Sequence, residues 1–313
     1  MRDRHIQYKF TVERNITILR GDSATGKTTL INMIDAYQRG GESSGVSVVS
    51  DKRAVVLDAY NWQANLAMIT DSIVFIDEGD AFVRSEEFAR AAQNSDNYYV
   101  LATRSSLFNL PYSIKEIYGI RNRSGNRYQG TKRIYSEFYR LYKAPSPEAG
   151  EIPKPELVLV EDSNSGYEFF SSVSGEYGIP CISAGGKSNI YAGLMETQAE
   201  TVLVIADGAA FGPEIERVLS LSRIKNLVLF MPESFEWLIL SSGIVDGAED
   251  ILADPSEHIE SSEYFSWERF FTALLADRTK DSYLAYSKKK LNPVYLQPGE
   301  REKILTQVQK ITK

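Results

Sequence analysis

Gly21-Asp22-Ser23-Ala24-Thr25-Gly26-Lys27-Thr28 is the stretch on which the reading of this chain turns. Its glycines let the backbone take angles closed to other residues and bring N–H groups close to an anion. Ile16 to Arg20 reads as a strand leading into it. Residues 27–38 read as the helix leading out, with Leu30, Ile31, Met33 and Ile34 placed to pack inward. Glycine, four residues, glycine, lysine, threonine between a strand and a helix is the P-loop pattern, matched here at every fixed position. It predicts a nucleotide site made by Gly21 to Thr28 and the adjoining Thr29. The helix N-terminus offers unpaired N–H groups and the positive end of its dipole. The Lys27 ammonium should reach the β- and γ-phosphates, and the Thr28 hydroxyl should ligate Mg²⁺.

Working outward, the chain alternates strands and helices. Val46 to Val49, Ala54 to Leu57, Ser72 to Ile76 and Tyr98 to Thr103 read as strands, and Asn61 to Thr70 and Arg84 to Ala92 as helices. Such alternation implies an α/β fold with a mostly parallel sheet. The apolar run Ile73-Val-Phe-Ile ends in Asp77-Glu78, the look of a Walker B segment. Asp77 is then expected at Mg²⁺ and Glu78 as the general base that polarises an attacking water, with Lys27 the other catalytic residue. An Asn-Lys-x-Asp guanine motif is absent from the sequence, so ATP is the expected nucleotide.

These motifs resemble the additional-strand class of P-loop ATPases, related to the AAA and ABC groups, over about residues 14–143. The resemblance implies that Tyr99-Val-Leu-Ala-Thr103-Arg104 lies between the P-loop and Walker B strands. It further implies that Thr103 and Arg104 sense phosphate, Arg104 either in cis or across a self-associated pair. An ABC signature Leu-Ser-Gly-Gly is not found between residues 28 and 77. A small-molecule kinase is a further alternative, kept open by Asp58 at a strand end.

Residues 115–121 and 127–142, separated by Ser124-Gly125-Asn126, read as a β-hairpin. Prolines crowd 144–155, which reads as a linker between a first domain over 1–143 and a second over 156–250. The second has four strand-and-helix units, and hence a second, smaller parallel sheet. Its strands are Leu157 to Val160, Ile179 to Ser183, Thr201 to Ala206 and Asn226 to Met231. Its helices are 166–177, 188–197, 212–221 and 233–241, and a helical tail is expected over 251–313. Polar loops follow the strands: Glu161-Asp162, then Gly185-Gly186-Lys187, then Asp207-Gly208, then Glu233. In parallel sheets ligands collect at such carboxyl ends.

That order resembles the Toprim domain of topoisomerases, primases and overcoming-lysogenization-defect nucleases. The resemblance implies Glu161 and Asp207 as metal ligands, but Ala209 stands where the family has a second aspartate. Asp162 or Glu233 is a substitute to consider. Three readings stay open: an active metal nuclease, a degenerate module that binds nucleic acid, nucleotide or protein, and an unrelated Rossmann-like regulatory domain. The fusion of ATPase and Toprim-like domain resembles nuclease-linked ATPases of mobile-element and phage-defence systems. The competing class is an ATP-controlled protein-interaction switch whose second domain is inactive.

Composition narrows the chemistry. The 313 residues include one cysteine and two histidines, so intrachain disulfides, cysteine zinc sites and multi-histidine metal sites are excluded. Carboxylate, lysine and hydroxyl chemistry remains, and Mg²⁺ is its natural metal. The net charge of −7 argues against coating nucleic acid by bulk charge. Yet residues 121–143 hold Arg121, Arg123, Arg127, Lys132, Arg133, Arg140 and Lys143 interleaved with tyrosines. That is either a nucleic-acid face or a hairpin with one solvated and one buried side. Lys288-Lys-Lys290 reads as a solvated turn, Trp237, Trp267 and Phe270 as core or interface, and Cys181 as inert packing. No secretory signal or membrane span is read, so a cytoplasmic location is expected.

Overall fold

The apolar runs become strands wherever a neighbouring strand can pair with them. In the computed structural model, residues 1–21, 25–123, 134–142, 154–259 and 263–312 are described. Two compact units form. One is Met1–Tyr142 with Glu260–Phe265, and the other is Lys143–Ile259 with Ser266–Lys313. The architecture is α/β with two mostly parallel sheets and a helical C-terminal region.

The first unit contains β1 (Ile6–Lys9), β2 (Ile16–Arg20), α1 (Lys27–Gly40), β3 (Arg53–Val56), α2 (Trp62–Leu66), β4 (Ser72–Ile76), α3 (Glu86–Gln93), β5 (Tyr98–Thr103), β6 (Ile117–Arg123) and β7 (Ile134–Arg140). Its seven-stranded sheet runs β1-β7-β6-β2-β5-β4-β3. β5 therefore separates β2 from β4, pairing with each in parallel. Among the described strands, β6 and β7 alone pair antiparallel. Against the sheet, α1 buries Leu30, Ile31, Met33 and Ile34, the inward face expected from their spacing. Each such side chain contributes about 1.5–3 kcal/mol when fully buried.

Two expectations fail here for physical reasons. Val46 to Val49 is not a strand. Ser47 makes a lone bridge to Arg2, and Val49 is 90% exposed, because β-branched residues form strands only where a partner presents its edge. The charged N-terminus instead supplies β1, which lies parallel to β7 and buries Tyr8. The helix expected over Asn61 to Thr70 is confined to α2. Ser124-Gly125-Asn126 and most of the 144–155 linker lie outside the described residues.

The fully buried Glu116 sits before β6. Its carboxylate accepts from the Thr17 hydroxyl at 3.3 Å and the Tyr118 hydroxyl at 3.4 Å, and Arg14 Nε is 3.7 Å away. Burial pushes its pKa from 4.5 up to about 7, with Arg14 opposing. The folded state thus holds this proton more tightly than the unfolded chain. Its contribution to stability is complete below about pH 4.5 and is lost as pH rises to about 7, at up to about 1.4 kcal/mol per pH unit. Glu116→Gln should remove that slope. Urea unfolding at several pH values reads it, and an unchanged pH dependence in the variant would contradict this account.

The second unit contains β8 (Leu157–Val160), α4 (Ser165–Glu176), β9 (Cys181–Ser183), α5 (Ile190–Glu196), β10 (Thr201–Ile205), α6 (Gly212–Ser220), β11 (Asn226–Phe230), α7 (Phe235–Ser241), α8 (Glu249–Ala253), α9 (Trp267–Thr279) and α10 (Pro298–Thr312). Its sheet runs β11-β10-β8-β9, all parallel. The order reverses between β8 and β10, which opens a crevice at their carboxyl ends. Trp267 and Phe270 are buried in α9, as expected of core residues. Among the described residues, no helix is long and apolar enough to cross a membrane.

Gly208 closes this end of the sheet. Its N–H donates to Pro232 O at 2.6 Å, and a Cβ there would lie 2.7 Å from Met231 O and 2.9 Å from Pro232 O. Both obstacles are backbone, so Gly208→Ala should cost about 1–3 kcal/mol of stability by overpacking. An unchanged denaturation midpoint would show that the two strand ends can part.

Candidate functional site

The glycine loop at Gly21 to Thr28 lies at the carboxyl end of β2, where the strand hands over to α1. Gly26 adopts φ 97°, and a Cβ there would lie 3.0 Å from the Tyr8 hydroxyl. That hydroxyl donates to Gly26 O at 3.0 Å, so β1 braces the loop from the side. Lys27 is 4% exposed. Its ammonium donates to Gly21 O and to Thr25 Oγ1 at 3.4 Å, and lies 3.7 Å from Glu78 Oε2. Thr28 and Thr29 are exposed at the first turn of α1. Asp22, Ser23 and Ala24 lie outside the described residues.

The acids converge on the same end of the sheet. Asp77 and Glu78 follow β4, and Asp77 Oδ1 accepts the Glu78 N–H at 2.8 Å. Arg104, just after β5, grips Glu78 with two bonds, Nη2 to Oε1 at 2.7 Å and Nε to Oε2 at 3.3 Å. Hydrogen bonding and charge from Arg104, with Lys27 adding to them, hold the Glu78 carboxyl below its ordinary range. Glu78 is thus an ionised carboxylate between two cations. Thr103 is spent locally: its buried hydroxyl donates to Ser105 O at 2.8 Å and accepts from Ser105 N at 3.2 Å. Burial and the neighbouring Asp58 and Asp77 raise the Asp80 pKa. Asp58, Asp77 and Asp80 thus lie close enough to feel one another's charge.

The second crevice brings Glu161 and Asp207 together. Glu161 follows β8 and Asp207 follows β10, and the Asp207 N–H donates to Glu161 Oε2 at 2.9 Å. Burial pushes Glu161 up to about 7. Burial, then Glu268, Glu161 and Glu236, push Asp207 well above the usual carboxylate range, with Lys288 opposing. The glycine loop closes on Glu161, whose carbonyl accepts the Gly186 N–H at 2.7 Å. Lys187 donates to Ala210 O at 2.9 Å, and its charge opposes the rise at Glu161. Neither proposed substitute for the missing aspartate stands clear of other duties. Asp162 Oδ1 accepts the Tyr167 N–H at 2.8 Å in the first turn of α4, and Glu233 is 5% exposed. Among the described residues, no group of three or more His, Cys, Asp or Glu side chains is placed to hold a metal ion. Cys181 is half-buried, its thiol pushed up to about 11 by burial.

In the basic stretch, Arg121 and Arg140 have acidic and aromatic neighbours. Arg121 bonds Glu137 at 2.5 Å and lies 5.3 Å from the centre of the Tyr139 ring. Arg140 lies 6.0 Å from the Tyr118 ring centre and 3.8 Å from Glu13. Phe138 stacks on Phe10 with centroids 4.1 Å apart, while Tyr135 and Tyr139 are exposed. Arg127, Tyr128, Lys132, Arg133 and Lys143 lie outside the described residues.

Sequence reasoning missed Tyr8, Glu236, Glu268, Tyr286 and Lys288. Tyr8 had a readable signal, the alternation of Ile6 and Tyr8. The other four come from three separate segments and share no spacing motif. Lys289 and Lys290 are exposed as a solvated turn requires, but Lys288 turns inward. No protein family, curated protein or solved structure matches the chain.

Proposed function

We propose that the first unit is a Mg²⁺-dependent ATPase and that the second unit is the part it controls. The observation that carries this reading is the buried Lys27 in a glycine-flanked loop, 3.7 Å from a carboxylate on the next strand but one. Without nucleotide, Lys27 and Arg104 neutralise Glu78. Triphosphate oxygens are the stronger anion and draw both cations to themselves. Glu78, relieved of its partners, then accepts a proton from the attacking water. Thr28 and Asp77 would hold Mg²⁺, which offsets the charge of the phosphates. Lys27 and Arg104 stabilise charge on the transferred group. The loop residues bind the phosphates, and Tyr8 keeps the loop in shape.

The test is phosphate release from ATP by the full chain with Mg²⁺ and without an added acceptor. Release under those conditions separates an ATPase from a small-molecule kinase, and GTP used equally well would remove the preference for adenine. For the output, nucleic-acid binding or processing by the second unit is one reading. A protein-interaction switch with a catalytically inactive second unit is the other, and the arrangement around Lys288 favours it.

A further inference from the structure

Residues from the C-terminal part of the same unit bring charge to the cleft at the carboxyl ends of β8 and β10. Glu236 comes from α7, Glu268 from α9, and Tyr286 and Lys288 from the segment after α9. The Lys288 ammonium bonds Glu268 and lies 4.0 Å from Glu236, whose side chain is 2% exposed. The Tyr286 hydroxyl donates to Glu236 Oε1 at 2.8 Å and meets Ser165 Oγ at 2.7 Å. We infer that Lys288 is the built-in cation of this cleft: the chain's own ammonium neutralises its carboxylates, and the cleft takes no divalent metal ion.

Three observations support this. First, the carboxylates already have internal donors: Asp207 N–H on Glu161, Tyr167 N–H on Asp162, and the Tyr286 hydroxyl and Lys288 on Glu236. These bonds fix one oxygen of each of these carboxylates, and a metal would have to gather the oxygens to about 2.0–2.6 Å against them. Second, Lys288 is held by its backbone. Lys288 O accepts the Ser165 N–H at 3.1 Å, and three residues on the Leu291 N–H donates to Glu168 at 2.7 Å. Third, the cavity lined by Glu161, Asp162, Asp207 and Phe235 has a volume of only about 20 Å³, close to that of one water. The Lys288 charge is felt at Asp207 and Asp162, and the same field repels a divalent ion placed between them. This goes beyond the nucleotide reading and does not depend on it.

Mn²⁺ binding to the nucleotide-free full chain, followed by electron paramagnetic resonance, tests the inference. The quantity read is the number of ions lost on Asp207→Asn, which sets aside any Mn²⁺ held by the first unit. The expected result is zero in wild type and in Lys288→Arg, and one per chain in Lys288→Met. Mn²⁺ should also raise the melting temperature of Lys288→Met while leaving wild type unchanged. An Asp207-dependent Mn²⁺ ion in wild type overturns the inference, and that arm needs no Lys288 variant to fold. A folded Lys288→Met that gains no ion overturns it as well.

Discussion

Glu78→Gln should lower ATP turnover by about 10²–10⁴-fold while nucleotide binding persists. The amide keeps the shape and the hydrogen-bonding oxygen but cannot take a proton from water. It also abolishes the charge that pairs with Arg104 and Lys27. Arg104 is exposed, so losing its pair should change stability little. Affinity for ATP should hold or rise, because Lys27 and Arg104 no longer have to leave a carboxylate. Single-turnover hydrolysis and nucleotide titration of the same preparation separate the two effects. Wild-type turnover in the variant would remove Glu78 from its role.

Lys27→Ala should weaken ATP binding by at least about 100-fold. Losing charge-assisted bonds to two phosphates at about 1.5–3 kcal/mol each accounts for that size. The ammonium is buried and aimed into the loop by Gly21 O, so another cation cannot reach the same point without remaking the loop. Titration with a fluorescent ATP analogue reads the loss, with melting temperature as the control for folding. Undiminished binding would mean that the glycine loop is a turn and not a phosphate cradle.

How much of this was readable from sequence depends on whether the contact is local. The strand, glycine loop and helix around Lys27 are consecutive, and their hydrophobic spacing is set by helix and strand periods, so β2 and α1 appear where expected. The position of β5 between β2 and β4 came through resemblance, since strand order has no local signal. The grip of Arg104 on Glu78 joins the ends of two adjacent strands, and neither residue announces the other. The second cleft is the extreme case. Glu161 and Asp207 were found because polar residues follow apolar strands. Lys288 was not, because it stands in a lysine triplet whose other members are solvated, and only the bonds of Ser165 and Leu291 turn it inward. Val46 to Val49 failed in the opposite way: the residues favour a strand, but no strand edge is presented to them.

The central claim is that the loop at Gly21 to Thr28 binds a nucleoside triphosphate. Isothermal titration of ATP with Mg²⁺ into the full chain tests it most directly. The account predicts saturable binding of one ATP per chain, weakened when Mg²⁺ is withheld and lost in Lys27→Ala. Absence of saturable binding by any nucleoside triphosphate at millimolar concentration, or binding that Lys27→Ala leaves intact, would contradict it.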